Sequence, residues 1–397
     1  MTARILYRAA AVLAALAFAA ACVFPLDADI QQGTERPLVV EGGIHPGNQT
    51  IIKLSYVQPF GQEEYIPIYA KAYIECEDGS KVQGEQVGDS LLFDTSACRA
   101  DKKYRLHFDT REGKGGEVLG SFESDWLEVT PGPVIDELTF AKDAESGSTL
   151  NIGISMRCRG GQYFRWTFFE DWEYHSELWT DLYYLPDTRE VKAFERGVNP
   201  YYYCWSHYDS PEINLFSTVN QTEDRFEDLE FHRVLLRSQK LQIMYRITVQ
   251  LEALPREAYE YWSNIERNTE EQGSLFAPIP SEIIGNVRCI SDPSVQVLGY
   301  VNASVMAVSQ MYYDDKIYGY CTYSSSNDRS KDDETGLDDP IDYGFMYKYG
   351  YWPYRYLIDG MPPQPVGVQW APRRCIDCTK FSDGTKNKPK GWPTDHV

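Results

Sequence analysis

The stretch from Pro37 to Thr130 is written as short strand-forming runs cut off by turn formers, and no other feature of the chain narrows its fold as far. The runs are Pro37 to Glu41, Thr50 to Val57, Ala70 to Cys76, Ser90 to Phe93, Tyr104 to Phe108 and Ser121 to Val129. Between them lie His45-Pro46-Gly47-Asn48, Glu77-Asp78-Gly79 and Gly113-Lys114-Gly115-Gly116, all residues that favour turns. About seven strands in some 95 residues predict an immunoglobulin-like β-sandwich over 37–130. In Tyr104-Arg105-Leu106-His107-Phe108 apolar and polar residues alternate, so one face meets the core and His107 is expected on the solvated face.

Thr130-Pro131-Gly132-Pro133 is the clearest linker, and a second, larger β-rich domain is expected over 134–397. Leu150 to Cys158, Tyr163 to Glu173 and Leu241 to Leu251 read as strands there. From Pro255 to Gln272 the period changes: Ala258, Tyr259, Trp262 and Ile265 recur at three and four, with Pro255 at the start and Gly273 past the end. That spacing predicts one helix over about 255–272 with an aromatic stripe packed on a sheet. The fold class expected is therefore mainly β: an N-terminal immunoglobulin-like sandwich followed by a larger β-rich domain with one helix.

Arg4 and Arg8 precede an apolar stretch from Ala9 to Ala21, which is the order of an export signal. Ala19-Ala20-Ala21-Cys22 looks like a bacterial lipobox, so residues 1–21 are expected to be removed and Cys22 to be diacylated. Two acyl chains anchor stably where one gives only marginal binding. Residues 22–36 then form a lipidated tether; from Val23 to Arg36 it reaches about 45–50 Å at roughly 3.3–3.6 Å per residue. No later segment approaches the run of about 18 apolar residues that a spanning helix needs. Acidic residues outnumber basic ones 59 to 38, and loss of Arg4 and Arg8 takes the formal charge from −21 to −23. Nucleic acid and anionic lipid surfaces would be repelled, so neither is an expected partner.

Besides Cys22 the chain carries Cys76, Cys98, Cys158, Cys204, Cys289, Cys321, Cys375 and Cys378. An even number in an exported chain predicts disulfides, with roughly a hundred possible connectivities. Cys76 with Cys98 is the favoured pair, because they flank neighbouring strand-like segments. Cys375-Ile376-Asp377-Cys378 could also be half a zinc site or a redox pair, but a lone CxxC without histidines beside it favours a structural disulfide. Carboxylates cluster between Ser324 and Asp342 without the alternation and turn glycine of a calcium loop, so an exposed loop is expected there.

Three stretches in this order resemble an outer-membrane lipoprotein family of the Bacteroidota, domain of unknown function 4249. They are Pro37-Leu38-Val39-Val40-Glu41-Gly42; Ala258-Tyr259-Glu260-Tyr261-Trp262 running to Asn268-Thr269-Glu270 and Gly273-Ser274-Leu275-Phe276; and Cys375-Ile376-Asp377-Cys378 followed by Lys388-Pro389-Lys390-Gly391-Trp392. The resemblance spans nearly all of the mature chain. It implies no reaction; it implies an accessory lipoprotein beside a TonB-dependent outer-membrane transporter that imports glycans, peptides or metal chelates, on the outer membrane and facing the cell surface.

No GxSxG, HExxH, P-loop or dinucleotide fingerprint is present. His45, His107, His175, His207, His232 and His396 stand singly, which suits surface positions better than a metal site, and no metal or cofactor is expected. Glu170, Asp171 and Glu173 near His175 offer carboxylates for glycoside hydrolysis, but neighbours on one strand rarely face each other across a cleft. The strongest chemical signal is aromatic. Tyr343, Phe345, Tyr347, Tyr349 and Tyr351 alternate, so an extended strand would carry all five rings on one face, either packed within the fold or open for contact. Tyr201-Tyr202-Tyr203 do not alternate and must turn some rings outward. Tyr201, Tyr202, Tyr203, Trp205, Tyr347, Tyr349, Tyr351 and Trp352 are accordingly the candidate ligand or partner contacts, since rings offer contact area at little entropy cost. The function expected is non-enzymatic capture or gating of a nutrient with a TonB-dependent transporter. A structural or assembly subunit of an outer-membrane complex is the alternative, and an extracellular hydrolase the third reading.

Overall fold

The computed structural model describes residues 36–58, 65–270, 285–314, 344, 346–380 and 384–393. The six strand runs read from the sequence are strands, the last of them broken in two, and one further strand, β4, lies in none of them: β1 (Leu38–Ile44), β2 (Gln49–Tyr56), β3 (Tyr69–Cys76), β4 (Lys81–Val87), β5 (Ser90–Asp94), β6 (Lys103–Arg111), β7 (Val118–Ser124) and the short β8 (Leu127–Glu128). They form two sheets over a core of Val40, Ile52, Leu54, Ile74, Leu91, Phe93, Leu106 and Phe108. One strand serves both sheets. Gln83 of β4 pairs with Tyr73 of β3, and the next residue, Gly84, already pairs with Phe93 of β5. A Cβ at Gly84 would lie 2.6 Å from the Phe93 ring, so the corner requires glycine.

The alternation in β6 buries Tyr104, Leu106 and Phe108 as expected. His107 departs from its expectation. It stacks on Tyr73 at 4.6 Å, with Nδ1 3.4 Å from Glu123 and Nε2 3.4 Å from Asp109, because the charged face of this sheet is a layer of paired side chains and not open water.

The second unit is another antiparallel sandwich. Its elements in chain order are β9 (Val134–Lys142), β10 (Thr149–Arg157), β11 (Tyr163–His175), β12 (Leu182–Leu185), β13 (Glu190–Ala193), β14 (Tyr203–Asp209), β15 (Asn214–Ser217), β16 (Arg225–Leu235), β17 (Met244–Ala253) and helix α1 (Arg256–Glu270). After α1 come β18 (Val287–Cys289), β19 (Val297–Ala303) and β20 (Met306–Tyr313). One sheet runs β16-β10-β9, and the other β14-β11-β17-β20 with β15 beside the start of β11. Leu150, Ile152, Phe164, Phe168, Ile247 and Val249 fill the space between them.

The first sandwich does not close at the linker. β19 pairs in parallel with β1, and β18 pairs with β7, so residues between α1 and β20 of the second unit satisfy both open edges of the first. Asn286 ties these two returning strands, its Nδ2 donating to Val301 O at 2.7 Å and its Oδ1 accepting from Val301 N at 2.9 Å. The expected 37–130 unit is therefore incomplete by itself, and the expected 134–397 unit surrenders β18 and β19 to it.

Helix α1 lies where the spacing placed it. Ala258, Tyr261 and Trp262 are buried and Ile265 is packed beside them. Tyr259 sits 4.7 Å from Tyr163 of β11 and Tyr261 5.4 Å from Tyr300 of β19, so the helix touches both sandwiches. Among the described residues no helix is long and apolar enough to cross a membrane.

Candidate functional site

The aromatic segments converge on one module at the edge of the second sandwich. The hairpin β12–β13 packs against a second hairpin, β21 (Tyr351–Asp359) with β22 (Gln364–Pro372). Leu182, Tyr184, Met346, Val368 and Trp370 form a small core between them. Thr180 fastens the two by donating to the carbonyls of Pro353 and Tyr354, both at 2.9 Å. After β22 come the single turn α2 (Arg373–Ile376) and a 3-10 turn at Cys378–Lys380. Cys378 is bonded to Cys204 of β14, which clips the module to the sandwich.

This bond corrects the expected pairing. Cys76 and Cys98 are thiols, as are Cys158, Cys289 and Cys375. Cys76 and Cys98 are close enough to influence each other, and burial pushes the Cys98 thiol up, so the two are neighbours as expected but are not bonded. The CxxC divides its roles because the chain turns between its two cysteines. Cys378 faces β14, while Cys375 is buried in the module, where burial pushes its thiol up to about 11. Cys22 and Cys321 lie outside the described residues, as do His396 and the acidic stretch Ser324 to Asp342.

The five-ring ladder is not extended. Met346, Tyr347 and Lys348 are helical and Tyr349–Gly350 form a turn before β21 begins at Tyr351, so the rings cannot share one strand face; Tyr343 and Phe345 lie outside the described residues. Tyr347 is half-buried between Tyr184 at 4.9 Å and Trp352 at 5.9 Å, and Trp352 is buried. Tyr351 is half-buried.

Tyr201, Tyr202 and Tyr203 are also less open than expected. Tyr201 meets Trp352 edge-on at 5.3 Å, Tyr202 stacks on His175 at 4.7 Å, and Tyr203 stands against Tyr202 at 4.8 Å. Trp205 is buried in β14, whose backbone is bridged by Thr385. Of the candidate contacts Tyr349 alone is exposed, at 63%, and it is joined by two residues outside that set, Ile358 at 56% and Met361 at 99%, near the tip of the β21–β22 hairpin. Ile358 and Met361 were missed because an isolated apolar residue beside Gly360 and Pro362 reads as an ordinary turn.

The carboxylates of β11 occur on both of its faces. Glu170 points into the end of the sandwich core, accepting from Tyr245 OH at 2.7 Å, from His232 Nε2 at 3.1 Å and from Lys240. Burial pushes its pKa up, but these partners outweigh burial and lower it, so the carboxylate stays ionised. Asp171, on the opposite face, takes two bonds from Arg246, at 3.0 and 2.7 Å, and one from His207 at 2.7 Å. Burial opposes the charge on His207, yet Asp171 and Asp209 raise its pKa. The two carboxylates do not converge on one substrate, which disfavours the glycosidase arrangement.

The histidines are mostly engaged, not simply superficial: His45 is buried, and His232 is bonded to buried Glu170. The tail has a role that the sequence did not show. Trp392 donates to Glu173 at 2.7 Å and the carbonyl of Lys390 accepts from Arg246 at 3.0 Å, so the tail covers the outer face of β11 and β17.

Residues 23–309 match the family model described as Domain of unknown function (DUF4249). Among solved structures the chain is similar to a two-domain fibronectin type III segment of chicken tenascin, at 9% identity over 55% of this chain and 91% of that one, with a TM-score of 0.16. No curated protein matches the chain.

Proposed function

The chain belongs to the family described as Domain of unknown function (DUF4249), and from that premise we propose that it is a lipid-anchored outer-membrane protein that acts without catalysing a reaction. It docks on a TonB-dependent transporter and takes part in capture or gating of a nutrient. The observation that carries this reading is the two-hairpin module, whose rings other than Tyr349 are packed inward or half-buried while Ile358 and Met361 stand exposed near one tip. Protruding apolar side chains on a clipped, internally rigid element suit contact with a preformed groove on a partner. The export signal, Cys22 and a tether of about 45–50 Å reach would hold that tip near a partner in the same membrane.

Affinity purification of the full chain from detergent-solubilised outer membrane is expected to retain a TonB-dependent barrel, and Ile358→Asp with Met361→Asp to release it while the thermal melt is unchanged. Absence of any such barrel from the wild-type eluate overturns the proposal. Retention of a different envelope complex, lost in the same variant, would instead favour an assembly subunit.

A further inference from the structure

A pocket of about 160 Å³ opens at the seam between the two sandwiches. Gly43 and His45 line it from the first, and Arg165, Thr167, Gln250 and Glu252 from the second. His45 is only 5% exposed, and its Nδ1 lies 3.2 Å from the carbonyl of Ser304. A carbonyl only accepts, so Nδ1 carries a hydrogen and the other ring nitrogen, Nε2, takes no part in that bond. Nε2 has no hydrogen-bond partner among the described residues. A Cβ at Gly43 would come within 2.9 Å of Nε2 and 2.8 Å of Cε1. The φ of Gly43 lies outside the left-handed region, so the backbone does not demand glycine there; the missing side chain is what leaves the imidazole edge open.

The other groups complete a hydrogen-bonding wall. Gln250 Oε1 accepts from Thr167 Oγ1 at 3.4 Å, which turns the amide N–H donors of Gln250 away from that bond. Arg165 and Glu252 are paired at 2.5 Å and cancel, and the Arg165 guanidinium lies 4.6 Å from the ring of Trp262. Met306 and the half-exposed Ile51 add apolar surface. The Arg165–Glu252 pair offers an ion no uncompensated charge. A ring bearing several hydroxyls, each able to donate and to accept, meets Nε2, the Gln250 amide and an apolar wall for its C–H face. Pockets for drug-sized ligands run to about 300–1,000 Å³, so this one has room for a single ring.

We propose that the seam pocket binds one sugar ring, either a free monosaccharide or the terminal unit of a longer glycan. The site lies apart from the two-hairpin module, so sugar binding and transporter docking can each fail while the other holds.

The test is ligand-observed NMR titration of the full chain with glucose, galactose, mannose and N-acetylglucosamine, then with the trisaccharides of whichever binds, and with acetate and phosphate as ionic controls. At least one sugar is expected to bind saturably with Kd on the order of 1 mM, as suits a small ligand with few contacts. Gly43→Val, which fills the space beside Nε2, and Gln250→Leu, which removes the donors, should each weaken binding at least about tenfold. Gln250→Leu preserves shape, so it tests the site even if Gly43→Val folds poorly. Tighter binding of a trisaccharide points to a glycan terminus, and equal or weaker binding to the free sugar. No saturable binding by any of the four sugars, binding of the anions in their place, or binding unchanged in Gln250→Leu overturns the proposal.

Discussion

Glu252 is a fully formed charge with almost no contact with water, being 2% exposed on β17. Burial pushes its pKa up, but Arg165 and His45 beside it, with hydrogen bonds from Ser304 and Asn302, outweigh burial and hold it at about 2 against 4.5 for the free group. A depressed folded pKa means that the stabilisation is fully present above pH 4.5 and is lost as pH falls from there towards 2. The difference corresponds to about 3 kcal/mol, of which about 2 kcal/mol is gone by pH 3. Glu252→Gln leaves the Arg165 charge buried without its partner and is expected to destabilise the protein by about 3–5 kcal/mol at pH 7. In urea melts the gap between wild type and variant should shrink at pH 3; a gap independent of pH would show that the carboxylate charge is not what stabilises this seam. Nothing near Glu252 in the sequence announced it. The strand expected from the sequence ends at Leu251, and the Glu252 partners Arg165 and Asn302 come from residues far away along the chain. A buried ion pair is a tertiary fact, visible only once the strands are placed.

Elements whose signal is local were legible, and those whose rings could face either way were not. Helix α1 could be read because Ala258, Trp262 and Ile265 repeat at the helical period within a few turns, with a proline at the start. The segment around Tyr347 failed the same test, since tyrosine at alternate positions imitates a strand whether or not the backbone is extended. The C-terminal hairpin depends less on period than on its clip. Cys204–Cys378 closes a loop of 174 residues, and removing it with Cys204→Ser and Cys378→Ser is expected to cost about 2–5 kcal/mol through the unfolded state. A non-reduced digest should contain the peptide joining Cys204 to Cys378, and the double variant should melt earlier with loss of the near-ultraviolet signal of the packed aromatic module. A variant as stable as wild type would mean that the small core between the hairpins and the tail contacts to Glu173 and Arg246 hold the module unaided.

At the scale of the molecule the two sandwiches are interleaved, and this is where the sequence misled most. Thr130-Pro131-Gly132-Pro133 carries every mark of a linker, and the chain does leave the first sandwich there. What the linker could not show is that β18 and β19 come back after more than a hundred intervening residues, because strand pairing leaves no trace in local periodicity. The returning segment supplies Val287, Cys289, Val301 and Ala303 to the first core, all nearly inaccessible to water, and covers the open edges of β1 and β7. A fragment of residues 37–133 lacks that apolar surface and exposes two unpaired edges, so it is expected to remain unfolded or to aggregate. A fragment of residues 36–314 keeps both returning strands, α1 and the Glu252 network, and is expected to show dispersed amide resonances and a cooperative melt. Circular dichroism and proton NMR of the two fragments decide the matter. If the short fragment melts cooperatively by itself, β18 and β19 are an addition to an already complete sandwich, and the seam they help to build with Glu252 would be free to open without unfolding either half.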